Sequence, residues 1–202
     1  MTTVVVGGHS RNIGKTSVAA GLIAAFPDAG WTALKITQYG HGVCSINGHA
    51  CGCAVAEHAY AITEERESSG RSDTARFLAS GARRSFWVRT KQGQLELALP
   101  ALLPLIAAER HVIIESNSIL AFLNPDLYLV VLSHAVTDFK ESARRFLTRA
   151  DAAIVVADPA LEVVWGETAR AALANVPIFR AEPPDYVPEG LRTLVADRIT
   201  RR

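Results

Sequence analysis

The sequence lacks any marked excess of charge of one sign. Its 202 residues include 21 Lys and Arg against 20 Asp and Glu, for a formal net charge of +1. A dedicated nucleic-acid-binding protein normally carries a basic face, so this near balance argues against nucleic acid as a partner. Apolar residues make up 49% of the chain, which is enough to build a sizeable core and excludes a disordered polypeptide.

Long apolar runs are also missing. The longest, Leu97 to Ala108, is interrupted by Pro100 and Pro104 and falls short of the roughly 18 residues that a membrane-spanning helix needs. The N-terminus has no basic region, and cleavage of a signal peptide would remove the glycine-rich segment 7–17. We therefore expect a cytoplasmic protein with no membrane partner, whose three cysteines are reduced or bind metal.

That glycine-rich segment lies between a short apolar run and an apolar helix. It reads Gly-Gly-His-Ser-Arg-Asn-Ile-Gly-Lys-Thr-Ser, after Val4-Val5-Val6 and before the run Val18 to Phe26. A strand, a glycine-rich loop and a helix start in this order form an anion cradle. Backbone N–H groups turn inward there, and the helix N-terminus adds partial positive charge. The segment predicts a site for a nucleoside triphosphate.

The chemistry of this loop assigns roles to its last residues. Lys15 should reach the β- and γ-phosphates, and the Thr16 hydroxyl should hold Mg²⁺. The usual spacing puts a glycine where His9 stands, and Gly8 lies one residue further back. We expect the nucleotide to contact the residues of this loop and of the first helical turn: Gly8, Arg11, Asn12, Ile13, Gly14, Lys15, Thr16 and Ser17.

Short apolar runs alternate with helical segments along the whole chain. Strands are predicted at Thr3–Gly7, Thr32–Thr37, Ser85–Thr90, His111–Glu115, Leu127–Leu132, Ala152–Val156 and Pro177–Phe179. Helices are predicted at Lys15–Phe26, Asp73–Ser80, Leu97–Glu109, Asp138–Arg149, Glu167–Ala174 and Glu189–Arg198. This alternation predicts an α/β fold of three layers, a mostly parallel sheet with helices on both faces. We expect residues 1–202 to form a single domain.

Two charged residues stand where the ligand edge of such a sheet should be, beyond the carboxyl ends of the strands. Glu115 ends a predicted strand and should face the Mg²⁺ bound by Thr16, directly or through water. Lys35 stands near the end of another, where a buried charge needs a partner such as a triphosphate. The alternatives are a solvent-exposed carboxylate at a strand end and a lysine that reaches solvent.

Residues 38–56 interrupt the alternation with a long segment rich in Cys, His and Gly. All three cysteines, Cys44, Cys51 and Cys53, lie here with His49 nearby. Thiolates and imidazoles suit Zn²⁺, and three cysteines could hold part of an iron–sulfur cluster. The spacing matches no standard zinc module. The alternatives are three free thiols in a loop and a metal site shared across a symmetric dimer.

The segment 64–76 carries many charges ahead of a predicted helix. Asp73 suits the N-cap of that helix, which alone explains its presence. Arg71 or Arg76 could reach a phosphate.

These motifs resemble those of the SIMIBI class of P-loop NTPases. The phosphate loop has the Gly-x5-Gly-Lys-Thr spacing of dethiobiotin synthetase, a family that also has residues similar to Lys35 and Glu115. The stretch Asp73 to Ala82 resembles the Asp-Ser-x-Arg-x4-Gly-Ala stretch of the MobB family, the molybdopterin-guanine dinucleotide accessory proteins. The resemblance implies that Asp73 and Arg76 belong to the nucleotide site.

The chain departs from both families at particular residues. Ser72 replaces a usual lysine of MobB, and Ser116 replaces a usual glycine. The cysteine segment is more similar to that of metal-handling members of the class, such as nickel-insertion GTPases. An Asn-Lys-x-Asp guanine motif is missing at Val155 to Pro159, which favours ATP over GTP.

Three hypotheses follow. The first is a Mg-dependent NTPase that assists biosynthesis or metal loading of a cofactor, with Lys15, Lys35 and Glu115 as catalytic residues. The second is an ATP-dependent small-molecule kinase or ligase. The third is a regulatory nucleotide-binding module without turnover. The partner beyond the nucleotide is a small molecule or a client protein, and the class suggests a homodimer.

Overall fold

One eight-stranded sheet organises the part of the chain that the structure, a computed structural model, describes: residues 1–39, 59–156 and 167–200. The strands are β1 (Thr2–Gly8), β2 (Thr32–Tyr39), β3 (Tyr60–Glu65), β4 (Arg84–Lys91), β5 (His111–Glu115), β6 (Leu127–Ser133), β7 (Ala152–Val156) and β8 (Ile178–Ala181). Their order across the sheet is β3-β4-β2-β5-β1-β6-β7-β8.

The described residues form six α-helices, five of them between strands and the last after β8. They are α1 (Lys15–Ala25), α2 (Asp73–Ala79), α3 (Leu99–Ala107), α4 (Glu141–Phe146), α5 (Glu167–Ala172) and α6 (Glu189–Thr200). A 3-10 turn, Leu95–Ala98, leads into α3, and another, Leu147–Arg149, follows α4. The side chain of Ser72 caps α2 by accepting a hydrogen bond from the Ala75 N–H at 3.0 Å.

Every pairing in the sheet is parallel except that of β3 with β4. The central strand β1 lies between β5 and β6, so the chain order reverses beside it. Such a reversal opens a crevice at the carboxyl ends of the strands. The register places Val6, Glu115, Lys35 and Trp87 in one row across β1, β5, β2 and β4. The two charged residues are therefore neighbours at this edge.

The core has two halves because strands buried on both faces alternate their side chains between them. On one face, Val4 and Val6 pack with residues of α1, α2 and α6. On the other, Val5 packs with residues of α3, α4 and α5. This is the predicted α/β architecture of three layers with a mostly parallel sheet.

Several predicted boundaries were wrong. The strand β3 was missed, and β2 extends to Tyr39, so that Gln38 and Tyr39 belong to the strand and not to the cysteine segment. The helix predicted at Leu97–Glu109 is the shorter α3 behind a 3-10 turn, and that at Asp138–Arg149 contracts to α4 and the 3-10 turn after it. Propensity alone does not show where the 3-10 geometry begins.

Among the helices of residues 1–39, 59–156 and 167–200, none combines the length and the apolar character needed to cross a membrane.

Candidate functional site

The loop between β1 and α1 forms a tight turn that two backbone conformations make possible. Asn12 and Gly14 both have positive φ, 54° and 96°. Gly14 has no side chain that could cap α1, and the first turn of α1 carries no acidic residue. The N–H groups at this helix start are therefore left for an external anion.

Gly8 lies where the chain leaves β1, and the space around it is full. A Cβ on Gly8 would lie 2.9 Å from the Val131 carbonyl oxygen and 2.9 Å from the Lys15 Cδ. Since the backbone oxygen cannot move aside, glycine is required here. The same close packing holds the Lys15 side chain against the loop.

The next residue, His9, has a structural role in the described part of the chain. Its ring is fully buried, packs against Phe139 at 5.1 Å between centroids, and has Nε2 3.0 Å from the Val136 carbonyl oxygen. Burial lowers its pKa, which favours the neutral ring. The side chain is not among the groups that line the cleft, which explains why a histidine can replace the usual glycine.

Asn117 holds the start of the phosphate loop through two hydrogen bonds to Gly8. The sequence did not identify it as a site residue. Its Oδ1 accepts from the Gly8 N–H and its Nδ2 donates to the Gly8 carbonyl, both at 2.8 Å. The residue follows β5, so it crosses from one strand to its neighbour. A polar residue just after Glu115 was the only available signal in the sequence.

Lys15 points into a buried part of the site. Its Nζ donates to the Ser10 carbonyl at 2.5 Å. Burial lowers the pKa of Lys15 to about 8, although Glu115 acts in the opposite direction. A phosphate oxygen beside this ammonium group would raise its pKa again and favour the charged form.

Thr16, Lys35 and Glu115 meet at the carboxyl edge of the sheet. Thr16 Oγ1 donates to Glu115 Oε2 at 2.8 Å, and Lys35 Nζ donates to Glu115 Oε1. Lys35 Nζ also lies 2.9 Å from Asp73 Oδ2 and 3.5 Å from Thr16 Oγ1. Neither predicted alternative holds, because Glu115 is 3% exposed and Lys35 is paired.

Lys35 remains charged in this cluster. Burial alone lowers its pKa, but attraction to Glu115 and Asp73 outweighs burial, so the pKa lies above its ordinary value. The ammonium group thus neutralises two carboxylates that would otherwise repel each other.

Asp73 and Arg76 lie on the same side of the cleft. The N-cap prediction for Asp73 was wrong, since Ser72 caps α2 and Asp73 instead pairs with Lys35. Arg76 donates from Nη2 to Ser17 Oγ at 3.1 Å, which connects α2 to α1. Both residues named from the resemblance therefore lie beside the start of α1 and Lys35, where they line the cleft.

These groups line an open cleft of about 760 Å³ at the carboxyl edge of the sheet. Among its described lining residues, six cationic side chains face only two carboxylates. The cations are Arg11, Lys15, Lys35, Arg71, Arg76 and Lys140, and the acids are Asp73 and Glu115. The described lining therefore has a formal charge of +4 in a chain whose net charge is +1, so the cleft concentrates positive charge and suits a polyanion.

The donor set also fits a magnesium ion. Mg²⁺ prefers hard oxygen ligands and usually takes one or two from the protein and the rest from phosphates and water. The Thr16 hydroxyl and the Glu115 carboxylate, 2.8 Å apart, are such a pair beside the phosphate loop. Lys35 donates to Oε1 of Glu115, and Oε2 is the oxygen that accepts from Thr16.

The predicted zinc or iron–sulfur ligands Cys44, Cys51, Cys53 and His49 lie outside the described residues. Within residues 1–39, 59–156 and 167–200, no group of three or more His, Cys, Asp or Glu is arranged to hold a metal ion. Tyr39, the last described residue before the gap, and Tyr60, the first residue of β3 after it, both stand at the carboxyl edge of the sheet, near the ends of β2 and β4.

Comparison with solved structures found similar folds. HypB from Helicobacter pylori, solved in complex with nickel, aligns over 99% of this chain and 88% of its own, with 16% identity and a TM-score of 0.55. The strand, phosphate loop and helix together with this likeness show that the chain has the fold of the P-loop NTPases.

A second solved structure is similar to a lesser degree. It is the "apo" form of LpxK from Aquifex aeolicus in complex with ATP, with 18% identity and a TM-score of 0.48. This chain aligns over 89% of its residues and spans 53% of the LpxK chain. No protein-family model and no curated protein sequence matched the chain.

Proposed function

We propose that this chain binds a nucleoside triphosphate with Mg²⁺ and hydrolyses it. The observation that carries the proposal is the cationic cleft, in which the phosphate loop, Thr16 and Glu115 converge. A triphosphate is the common ligand that needs both a cradle of backbone N–H groups and several lysine or arginine partners. We expect ATP to be preferred over GTP, as the missing guanine motif suggests.

Each residue of the cluster has a separate task in this proposal. Lys15 binds the β- and γ-phosphates, and Thr16 and Glu115 hold Mg²⁺, which neutralises charge that develops on the phosphate oxygens. Lys35 lies beside Thr16 and Glu115 and stabilises the transferring phosphoryl group electrostatically. Asp73 positions Lys35 through their ion pair of 2.9 Å, while Arg76 and Ser17 connect α2 to the loop.

Phosphate release from ATP tests the proposal directly. Wild type should release phosphate with Mg²⁺ and lose this activity in excess chelator. Glu115→Gln keeps the shape of the site but removes the charge that holds Mg²⁺, so turnover should fall by at least about a hundredfold. Glu67→Gln, at an exposed acid outside the cleft, is the matched control. Equal turnover in wild type and Glu115→Gln would refute the proposed role.

The proposed use of hydrolysis is to assist biosynthesis or metal loading of a cofactor. Support comes from the Cys-rich segment, whose flanking residues Tyr39 and Tyr60 stand at the cleft edge of the sheet, and from the fold shared with a protein solved with nickel. Anaerobically purified protein should contain stoichiometric metal. Cys51→Ser should lose this metal and still bind nucleotide. Wild type that hydrolyses MgATP but contains no metal bound to the cysteine segment would contradict this role.

A small-molecule kinase or ligase is the second candidate, and one observation favours it. The cleft continues past Lys35 to Thr37, Arg71 and Trp87, beyond the phosphate loop. Trp87 Nε1 donates to Thr37 Oγ1 at 2.5 Å, so the indole is fixed as one wall of a space that an acceptor could occupy. ATP consumption that depends on an added metabolite would support this candidate. Vigorous hydrolysis by the protein alone would count against it.

A further inference from the structure

The cleft extends well beyond the phosphate loop, as far as the strand β4. Trp87 of β4 lines it and stands in the same row of the sheet as Lys35. β4 is the third strand from β1, and neighbouring strands lie about 4.8 Å apart, so about 14 Å separates Trp87 from the strand that leads into the loop. Phosphates held by Lys15 therefore leave this end of the cleft to another chemical group.

The indole of Trp87 is held in place on two sides. Its Nε1 donates to Thr37 Oγ1 at 2.5 Å, and that hydroxyl donates to the Val88 carbonyl oxygen at 3.4 Å. The Arg89 guanidinium lies over the ring, 4.5 Å from its centroid, and donates to Thr63 Oγ1 at 2.6 Å. Because Trp87 is only half-buried, the remaining surface of the ring forms a fixed apolar wall of the cleft.

Arg71 lines the same cleft from the segment between β3 and α2, and its side chain is exposed. The chain just after it is anchored, because the Ser72 hydroxyl donates to Glu65 Oε2 at 2.9 Å and accepts from the Ala75 N–H at 3.0 Å. Glu65 Oε2 also accepts from Thr74 Oγ1 at 3.0 Å. The neighbours of Arg71 thus fix the position from which its guanidinium enters the cleft.

The acids around this end of the cleft are engaged elsewhere. Asp73 pairs with Lys35 at 2.9 Å, and Glu65 accepts hydrogen bonds from the segment that leads to α2. Among the described residues, neither Arg71 nor Arg89 forms an ion pair with a carboxylate. A guanidinium group matches the two oxygens of a carboxylate or a phosphate, so an anionic ligand suits Arg71.

We propose that Trp87 and Arg71 form a second subsite of the cleft, which binds a small anion that carries a flat ring. The ring packs against the indole, and the carboxylate or phosphate group of the ligand binds the Arg71 guanidinium. The role of this ligand rests on the proposed nucleotide site: Lys35 stands between the subsite and the phosphate loop in the sheet order, so the bound anion faces the γ-phosphate. Its binding does not require a nucleotide.

The nucleoside of ATP is the rival occupant, since its base is also a flat ring. The proposed role of Lys35 places the γ-phosphate on the side of β2, which directs the nucleoside the other way, past Gly14. Tyr186 lines the cleft there, and its ring lies 3.3 Å from the place of a Cβ on Gly14. A nucleotide base at Trp87 is therefore an outcome that would overturn the proposal.

Titration of benzoate, followed by nuclear magnetic resonance of the ligand, tests the subsite. Wild type should bind benzoate in the millimolar range expected of so small a ligand. The affinity should be the same with and without a saturating, non-hydrolysable MgATP analogue. Benzyl alcohol, which has the ring but no charge, should bind at least about tenfold more weakly. Phenyl phosphate, added with the analogue already bound, shows whether a phosphate fits better than a carboxylate.

Two variants locate the binding. Arg71→Ala should weaken benzoate binding about tenfold. Trp87→Leu keeps apolar bulk without the ring and should weaken it about three- to tenfold. Arg66→Ala removes an exposed arginine of the same segment that does not line the cleft, and should bind like wild type. Circular dichroism shows whether each variant is folded.

Four results would overturn the subsite. They are a wild type that binds no benzoate up to about 20 mM, equal binding of benzyl alcohol, displacement of benzoate by the MgATP analogue, and affinities of Arg71→Ala and Trp87→Leu that match that of Arg66→Ala. A wild type that binds benzoate through Arg71 and Trp87 but does not bind MgATP would refute the nucleotide proposal alone.

Discussion

At the scale of single residues, the two hydrogen bonds between Asn117 and Gly8 hold the phosphate loop to β5. Both are 2.8 Å long and use both polar atoms of the side-chain amide. Asn117→Ala would leave the Gly8 N–H and carbonyl without these partners. We predict a loss of about 1–3 kcal/mol in the free energy of unfolding and weaker ATP binding, measured by urea denaturation and calorimetry.

Asn117→Asp is the more specific variant, because its carboxylate can still accept from the Gly8 N–H but repels the Gly8 carbonyl. It should be destabilised as well. Asn124→Ala removes an exposed amide that accepts a hydrogen bond from the exposed Arg149, and should change stability by less than about 0.5 kcal/mol. If Asn117→Ala matched Asn124→Ala, the role of Asn117 in holding the loop would be disproved.

Lys140 extends the cationic lining beyond the residues that the sequence pointed to. Its backbone N–H donates to the His9 carbonyl at 2.9 Å, which holds it beside the phosphate loop, and its side chain lines the cleft. Burial lowers its pKa, and Arg11 acts in the same direction, so an anionic ligand would be a favourable partner. We predict that Lys140→Ala weakens ATP binding about 10- to 100-fold, the value of one charge-assisted hydrogen bond.

Isothermal titration gives this affinity, and Lys91→Ala is the matched control. Lys91 is exposed at the end of β4 and does not line the cleft, so its removal should leave the affinity unchanged. Equal affinities of Lys140→Ala and Lys91→Ala would mean that Lys140 contacts no phosphate.

At the scale of elements, alanine variants of two glycines with positive φ distinguish an effect on stability from an effect on ATP binding. Gly14 (φ 96°) starts α1 inside the cleft, and Gly30 (φ 63°) ends the turn before β2, where an added Cβ would meet no atom within 4 Å. Alanine at either position should cost about 1–2 kcal/mol through backbone strain. Only Gly14→Ala should also lose ATP binding, because its Cβ would lie 3.1 Å from Val156 Cγ2 and distort the loop.

Thermal unfolding with and without MgATP measures both effects. Gly30→Ala should melt earlier than wild type but gain the same stabilisation from ATP. Gly14→Ala should gain none. A full ATP-dependent shift in Gly14→Ala would show that the loop geometry is not required for binding.

Elements with strong local signals could be predicted from the sequence, and those fixed by distant partners could not. The strands β5 and β7 are short β-branched and apolar runs and lie where predicted. The strand β3 reads Tyr-Ala-Ile-Thr-Glu-Glu, without a clear alternation, and forms because it pairs with β4 further along the chain, a tertiary contact that outweighs local propensity. Ser72 caps α2, whereas Asp73 pairs with Lys35 from another element, a contact that the local sequence does not show.

At the scale of the whole molecule, the topology brings the site together. Lys35 and Glu115 are 80 residues apart in the chain and adjacent in the sheet, and the rule that ligands lie beyond strand ends was enough to predict their meeting. Asn117 and Lys140 were missed because their roles depend on contacts with Gly8 and His9 more than 100 residues away. A single sequence gives no local sign of such contacts.

The central claim is that the cleft binds a nucleoside triphosphate, and calorimetric titration of MgATP tests it most directly. Wild type and Lys91→Ala should bind one equivalent with the same affinity. Lys15→Ala removes the buried ammonium group, so its affinity should fall by about a hundredfold, because a hydrogen bond to a charged group contributes up to about 3 kcal/mol. Binding of MgATP by Lys15→Ala as tightly as by wild type would contradict the account.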